Sequence, residues 1–211
     1  MKNALRLVGP SLMILIGLQF FENVVITFLL FFGWLCLVPL IDKAFPKERM
    51  KLDKQALLVG VGSGVVFFLF VYGGASWLHV YLLDINKLRV LLLDWGFAGP
   101  LEFAFILLFV FVNPVLEEVY WRGYMYEKLR IKGTAAYAII MTSIFYTLYH
   151  VLTVLHLFQS GYTLVAVLPV LLVGLFWAYI REKTGSITAT IIGHSIADFA
   201  IMCVYWFIVR Q

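Results

Sequence analysis

Apolar runs long enough to cross about 30 Å of hydrocarbon alternate with short polar turns along most of the chain. They cover Pro10–Leu40, Ala56–Leu83, Ala98–Tyr126, Thr134–Leu155, Tyr162–Ile180 and Ile187–Val209. The pattern predicts an all-α fold, a polytopic transmembrane helical bundle of about six spans. Glu22 and Asn23 interrupt the first run midway. Roughly 30 residues at 1.5 Å each are too few for two full crossings, so one tilted or kinked helix is expected there. In the third run, Asn113-Pro114 predicts a helix start or kink inside the membrane. Proline lacks an amide proton and suits a first helical turn, with the Asn as its cap. The amino end of that half-helix would bring a positive dipole to the residues just after it. Irregular backbone at this depth is tolerated only where protein or a water-filled cavity surrounds it. A membrane-embedded cavity is therefore expected at this point. In the second run, Gly60, Gly62 and Gly64 permit close helix approach, and Gly73-Gly74 would loosen the same helix.

Composition removes the soluble classes. Of 211 residues, 63% are hydrophobic and 13% charged, more apolar surface than a soluble interior of this size can hold. A sequence pI near 9.0 would suit a nucleic-acid binder, but the cations are scattered over short loops and no nucleic-acid partner is expected. They read as topology signals. Lys43, Lys47, Arg49, Lys51, Lys54, Lys128, Arg130, Lys132, Arg181 and Lys183 fall on one side of a six-span chain. Lys2, Arg6, Lys87, Arg89 and Arg210 fall on the other. The ten-to-five bias puts the basic loops in the cytoplasm and both termini outside. Lys2 and Arg6 precede the first run as in a signal peptide. The run continues without a small-residue cleavage site, so its retention is expected. Cys36 and Cys203 both lie in apolar spans, where packing is the default role.

Against this background the chemistry-bearing residues stand out, because each ionisable group at bilayer depth costs about 2.5–3.5 kcal/mol on insertion scales. The third span carries Glu117-Glu118-Val119-Tyr120-Trp121-Arg122, the fourth Tyr146-Thr147-Leu148-Tyr149-His150, and the sixth His194-Ser195-Ile196-Ala197-Asp198. Glu118 and Arg122 are i and i+4 and can pair. Glu117 points elsewhere around the axis and is left to face another helix. Tyr146 with His150, and His194 with Asp198, share helix faces in the same way. One carboxylate and one histidine can polarise a water as general base, while a second histidine and its neighbour stabilise the oxyanion of a tetrahedral intermediate. Glu117, His150 and His194 would equally make a zinc site with an open fourth position. From the turn on the basic side, Glu117 lies about 20 Å deep, His150 about 24 Å and His194 about 12 Å, so tilt must bring them level. His79, His156 and Glu102 fall near the outer boundary and read as interfacial. Glu22 reads as an interhelical hydrogen bond or kink.

These three motifs, E-E-x-x-x-R, an aromatic four residues before His, and H-x-x-x-D on successive spans, resemble the CAAX-protease and bacteriocin-processing family of intramembrane endopeptidases, which includes the CAAX prenyl endopeptidases. The resemblance covers about Pro114–Val204. It implies a chain divided into an N-terminal transmembrane region, 1–97, and a protease core, 98–211. It implies Glu117 as general base, His150 as a holder of the water, and His194 with Asp198 lining the oxyanion site. Glu118, Arg122 and Tyr146 would support them. Two residues depart from the family pattern: Tyr146 stands where Phe is usual, and Asp198 where prenyl endopeptidases usually have Asn. An ionised Asp cannot donate to an oxyanion, so it must be protonated, orient His194 or bind metal. Zinc therefore stays open, with the metal-independent glutamate mechanism preferred. The expected activity is cleavage near the C-terminus of a protein, prenylated or not, or maturation of a bacteriocin or signalling peptide. The setting expected is a bacterial or archaeal plasma membrane, with the cavity open to the cytoplasm. The competing readings are a non-catalytic immunity or partner-binding protein using the same pocket and, last, a proton-coupled transporter. The transporter would need paired broken helices in related halves, and one break is visible.

Overall fold

The computed structural model describes residues 2–97, 99 and 101–210. All the regular structure among them is helical, and seven helices are long and apolar enough to cross a membrane. They are α1 (Asn3–Phe20), α2 (Val24–Ile41), α3 (Lys54–Leu82), α5 (Leu101–Arg130), α6 (Ala135–Leu157), α7 (Thr163–Thr184) and α8 (Thr188–Val209). The short helix α4 (Ile85–Asp94) joins α3 to α5. The chain is an integral membrane protein. The starts expected at Ala98 for the third span and for the protease core lie outside the described residues.

The expected first span is two helices. Glu22 takes φ 46°, and the Asn23 side chain accepts the Val25 and Ile26 amides at 2.9 and 3.1 Å. These two residues are thus a turn and a cap, rather than polar insertions at mid-membrane. The room for a second crossing comes from residues upstream of Pro10, which are helical with Pro10 inside the helix. Arg6 does not stop that helix because Asp42, just past α2, takes its charge at 2.7 Å. Gly9 and Gly17 let α1 lie against α2: a Cβ on Gly17 would sit 2.3 Å from Thr27 Oγ1.

The extra crossing also moves the start of the chain. Arg6 meets Asp42, which also accepts from Lys128 at 2.9 Å. Glu127 pairs with Arg49 at 3.0 Å and with Arg181. The Ile187 amide donates to the Arg49 carbonyl at 2.9 Å. The start of α1 and all three basic loops are therefore at one end of the bundle, opposite the end of α8, so the two termini are not on one side. Asp42 lies beyond the span, and Arg6, then Tyr124 and Lys128, hold its carboxyl well below the usual carboxylate range. At the other end Glu102 binds Arg210 at 2.6 Å and accepts from Tyr205 at 2.9 Å. His156 meets Gln19 at 2.8 Å there.

Helix α5 is the centre. Glu117 through Tyr126 are all buried, enclosed by α2, α6, α7 and α8, while large apolar side chains on the other helices face outward. Helix α3 covers α8 through Gly60 and Gly64. A Cβ on either would come within 2.8 Å of α8 atoms, at the Ala189 carbonyl and at Ile196. Gly62, Gly73 and Gly74 face open space, so only two of the clustered glycines make the close contact.

Candidate active site

The carboxylates of α5 lie between two widened π turns, Leu108–Val112 and Val119–Met125. Proline removes one amide donor and crowds the carbonyl four residues earlier. A wide turn just before Pro114 absorbs both defects, so the helix passes through without the expected break. Asn113 has φ and ψ of −54° and −53° and is no cap. Among the described residues no helix amino end faces the carboxylates, since α5 runs on through them. The Asn113 side chain instead donates from Nδ2 to Asp198 Oδ2 at 3.0 Å.

Asn113 with Asp198, and Glu117 with His194, form two rungs one turn apart on the antiparallel helices α5 and α8. On the second rung, Glu118 Oε1 accepts from Arg122 Nη1 at 3.0 Å and from His194 Nδ1 at 3.0 Å. The guanidinium is held on further sides. Its Nη2 donates to the Gly174 carbonyl at 3.2 Å, and its carbon lies 4.3 Å over the Tyr146 ring. The i,i+4 pair read from the sequence is therefore real and built into three helices.

Because Glu118 accepts, His194 Nδ1 carries a proton. The other nitrogen, Nε2, lies 3.5 Å from Asp198 Oδ1 and 3.8 Å from Glu117 Oε2. The ring is stacked on Trp177, with centroids 4.6 Å apart and planes 29° apart. Gly193 allows this approach, since a Cβ there would meet Ser63 Oγ at 2.7 Å and Trp177 Nε1 at 3.2 Å. Glu117 is 2% exposed and its Oε2 has no hydrogen-bond partner within the protein. The Tyr149 hydroxyl comes up beside it without closing a bond. Glu118 Oε2, Arg122 Nε and Trp177 Nε1 are also unpartnered. Unpartnered buried polar atoms are rare, and several of them gather here.

The structure gathers Glu117, Glu118, Arg122, Tyr146, His194 and Asp198. His150 stands at the edge: its Nδ1 bonds the Tyr146 carbonyl at 2.9 Å, and its ring lies on those of Tyr146 and Tyr149 at 4.6 and 4.4 Å. Among the described residues no three His, Cys, Asp or Glu are arranged to hold a metal ion. The set Glu117, His150 and His194 does not fit zinc here. Asn113, Tyr149 and Trp177 were missed as site residues. Asn113 and Glu117 share a face at i,i+4 just as His194 and Asp198 do, and those matched pairs were a readable signal. A tryptophan at mid-membrane rather than at an interface was the signal for Trp177.

No curated protein and no solved structure matches the chain. Residues 99–200 match the model of the family described as type II CAAX prenyl endopeptidase Rce1-like. The match spans all three motifs and begins two residues before α5. Over residues 99–200 the chain is therefore similar to an Rce1-like type II CAAX prenyl endopeptidase domain, consistent with the CAAX-protease and bacteriocin-processing family.

Proposed function

We propose that this chain is an intramembrane endopeptidase in which Glu117 activates the attacking water. The observation that carries this reading is the division of labour between the adjacent carboxylates. Glu118 is tied to Arg122 and His194, whereas Glu117 Oε2 is unpartnered beside His194 Nε2. Glu117 takes a proton from water as the water oxygen bonds to the scissile carbonyl carbon. A proton on His194 Nε2 donates to the oxygen that becomes the oxyanion. When the C–N bond breaks, the proton held by Glu117 passes to the leaving nitrogen. His150 has its Nδ1 proton on a backbone carbonyl, which leaves the neutral ring an acceptor at Nε2 that helps to hold the water. Asp198 turns Oδ1 to His194 and acts by orienting it. The aromatic wall of Tyr146, Tyr149 and Trp177 excludes bulk water.

The substrate is a peptide or lipidated protein cut near its C-terminus, with a prenyl group or as a maturing bacteriocin or signalling peptide. The basic end of the bundle is the cytoplasmic one, in a bacterial or archaeal plasma membrane, and the substrate enters from that side. The test is cleavage by purified protein in detergent of internally quenched peptides, with and without a farnesylated Cys-aliphatic-aliphatic C-terminus. Wild type, Glu117→Gln and His194→Ala are compared with and without a zinc chelator. Cleavage that survives the chelator and is lost in both variants supports the reading. Loss in the chelator with recovery in zinc replaces it by a metalloprotease. Tight peptide binding with no cleavage, unchanged in Glu117→Gln, replaces it by a non-catalytic binding or immunity protein.

A further inference from the structure

We infer that Asn113 is a positioning residue of this site: its amide clamps Asp198 and so fixes the ring of His194. The inference rests on the protease reading for its kinetic consequence and on geometry for the clamp itself.

Asn113 and Asp198 are 5% and 4% exposed, within spans where water does not compete for their hydrogen bonds. The amide nitrogen donates to Asp198 Oδ2 at 3.0 Å. An amide nitrogen only donates, so that oxygen is held as an acceptor and bears no proton toward it. The second oxygen, Oδ1, is then turned to His194 Nε2 at 3.5 Å on the same helix. The far side of the imidazole is fixed by Glu118 at 3.0 Å. The ring is therefore hydrogen-bonded at Nδ1 and has the Asp198 carboxylate beside Nε2, and each carboxylate is itself anchored on α5, Glu118 by Arg122 and Asp198 by Asn113. The groups facing Asp198 and His194 are Asn113, Glu117 and Glu118 from α5, Tyr146 and His150 from α6, and Trp177 from α7. Asn113 delivers its amide from a stiff place, with a wide turn before it and the φ-locked Pro114 after it.

An Asp at 198 offers no N–H to an oxyanion. Here the carboxamide comes from the opposite helix and faces the Asp, which leaves His194 as the donor and Asp198 as the group that aims it. Asn113 then acts only through Asp198, and the two residues cannot contribute independently.

A double-mutant cycle on the full-length protein in detergent tests this. Asn113→Ala, Asp198→Asn and the double variant are compared with wild type for kcat and KM on the internally quenched peptides, and for thermal unfolding. In the wild-type background Asn113→Ala should lower kcat about tenfold and change KM less than about twofold; with Asn already at 198, the same change should lower kcat less than about twofold. Additive losses in kcat, or a loss confined to KM, would overturn the inference. If wild type cleaves neither peptide, the protease reading falls, and the unfolding cycle still judges the clamp. Non-additive midpoint shifts support it and additive shifts refute it.

Discussion

Arg122 is the residue on which the site's charge balance turns. Three carboxylates, Glu117, Glu118 and Asp198, surround one imidazole, and the Arg122 guanidinium pairs with one of them, Glu118. Its carboxylate partner Glu118 is fully buried, so removing the cation leaves a charge with no solvent to fall back on. Arg122→Met should destabilise the protein by about 3–5 kcal/mol, read as a lower unfolding midpoint in detergent. Arg122→Lys should recover only part of it, since a single ammonium cannot reach both Glu118 and the Gly174 carbonyl while lying flat on Tyr146. Much of this was legible before any coordinates. The i,i+4 spacings gave Glu118–Arg122 and His194–Asp198 because those relations are local to one helix. Which carboxylate His194 would take, and that Asn113 would face Asp198, depends on how two helices are set against each other. No spacing along one chain segment encodes that.

At the scale of elements, two features carry the site: the α3–α8 contact and the α1–α2 hairpin. Gly64 sits against Ile196 and Gly193, the neighbours of His194, with a Cβ there 2.8 and 3.2 Å from them. Gly64→Leu should displace α8 around His194 and reduce cleavage by at least about tenfold, with the unfolding midpoint also lowered by overpacking worth about 1–3 kcal/mol. Gly62→Leu, facing open space, is the matched control and should leave both unchanged. In the hairpin, Asn23→Ala removes two amide hydrogen bonds and should lower stability by about 1 kcal/mol, measured by unfolding in detergent. The hairpin was the element misread from sequence. A span that starts at Pro10 leaves Arg6 as flank, because its partner Asp42 lies 36 positions away. The Asn113-Pro114 break was misread for a related reason: a wide turn can absorb a proline, and its presence depends on surrounding helices rather than on the dipeptide.

Over the whole molecule, the seventh span sharpens the charge asymmetry. Lys2 and Arg6 join the basic loops, giving twelve cations at one end against three at the other, where Lys87, Arg89 and Arg210 remain. A six-span reading had already found the side with more cations, since each basic loop is legible alone. The Asp42 hub binds this end together through α1, α2 and α5. Its carboxyl is depressed in the folded state, so its stabilisation is complete above the unfolded value of about 3.9 and fades as pH falls below it. Wild type should exceed Asp42→Asn by about 2 kcal/mol at neutral pH. The gap should stay constant down to about pH 4 and narrow only below that. A gap that closed between neutral pH and pH 5 would assign the difference to another group.

The most direct test of the account is the rate of peptide cleavage by Glu117→Gln beside wild type, at equal folded amounts judged by unfolding midpoint. Glutamine keeps the shape and the hydrogen-bonding capacity of Glu117 but cannot take a proton. Glu117→Gln should lose about a hundred- to ten-thousand-fold in kcat, with KM and the midpoint close to wild type. A Glu117→Gln protein that cleaves within about threefold of wild type, against the loss expected for a missing base, would contradict the assignment of Glu117 as the group that activates water.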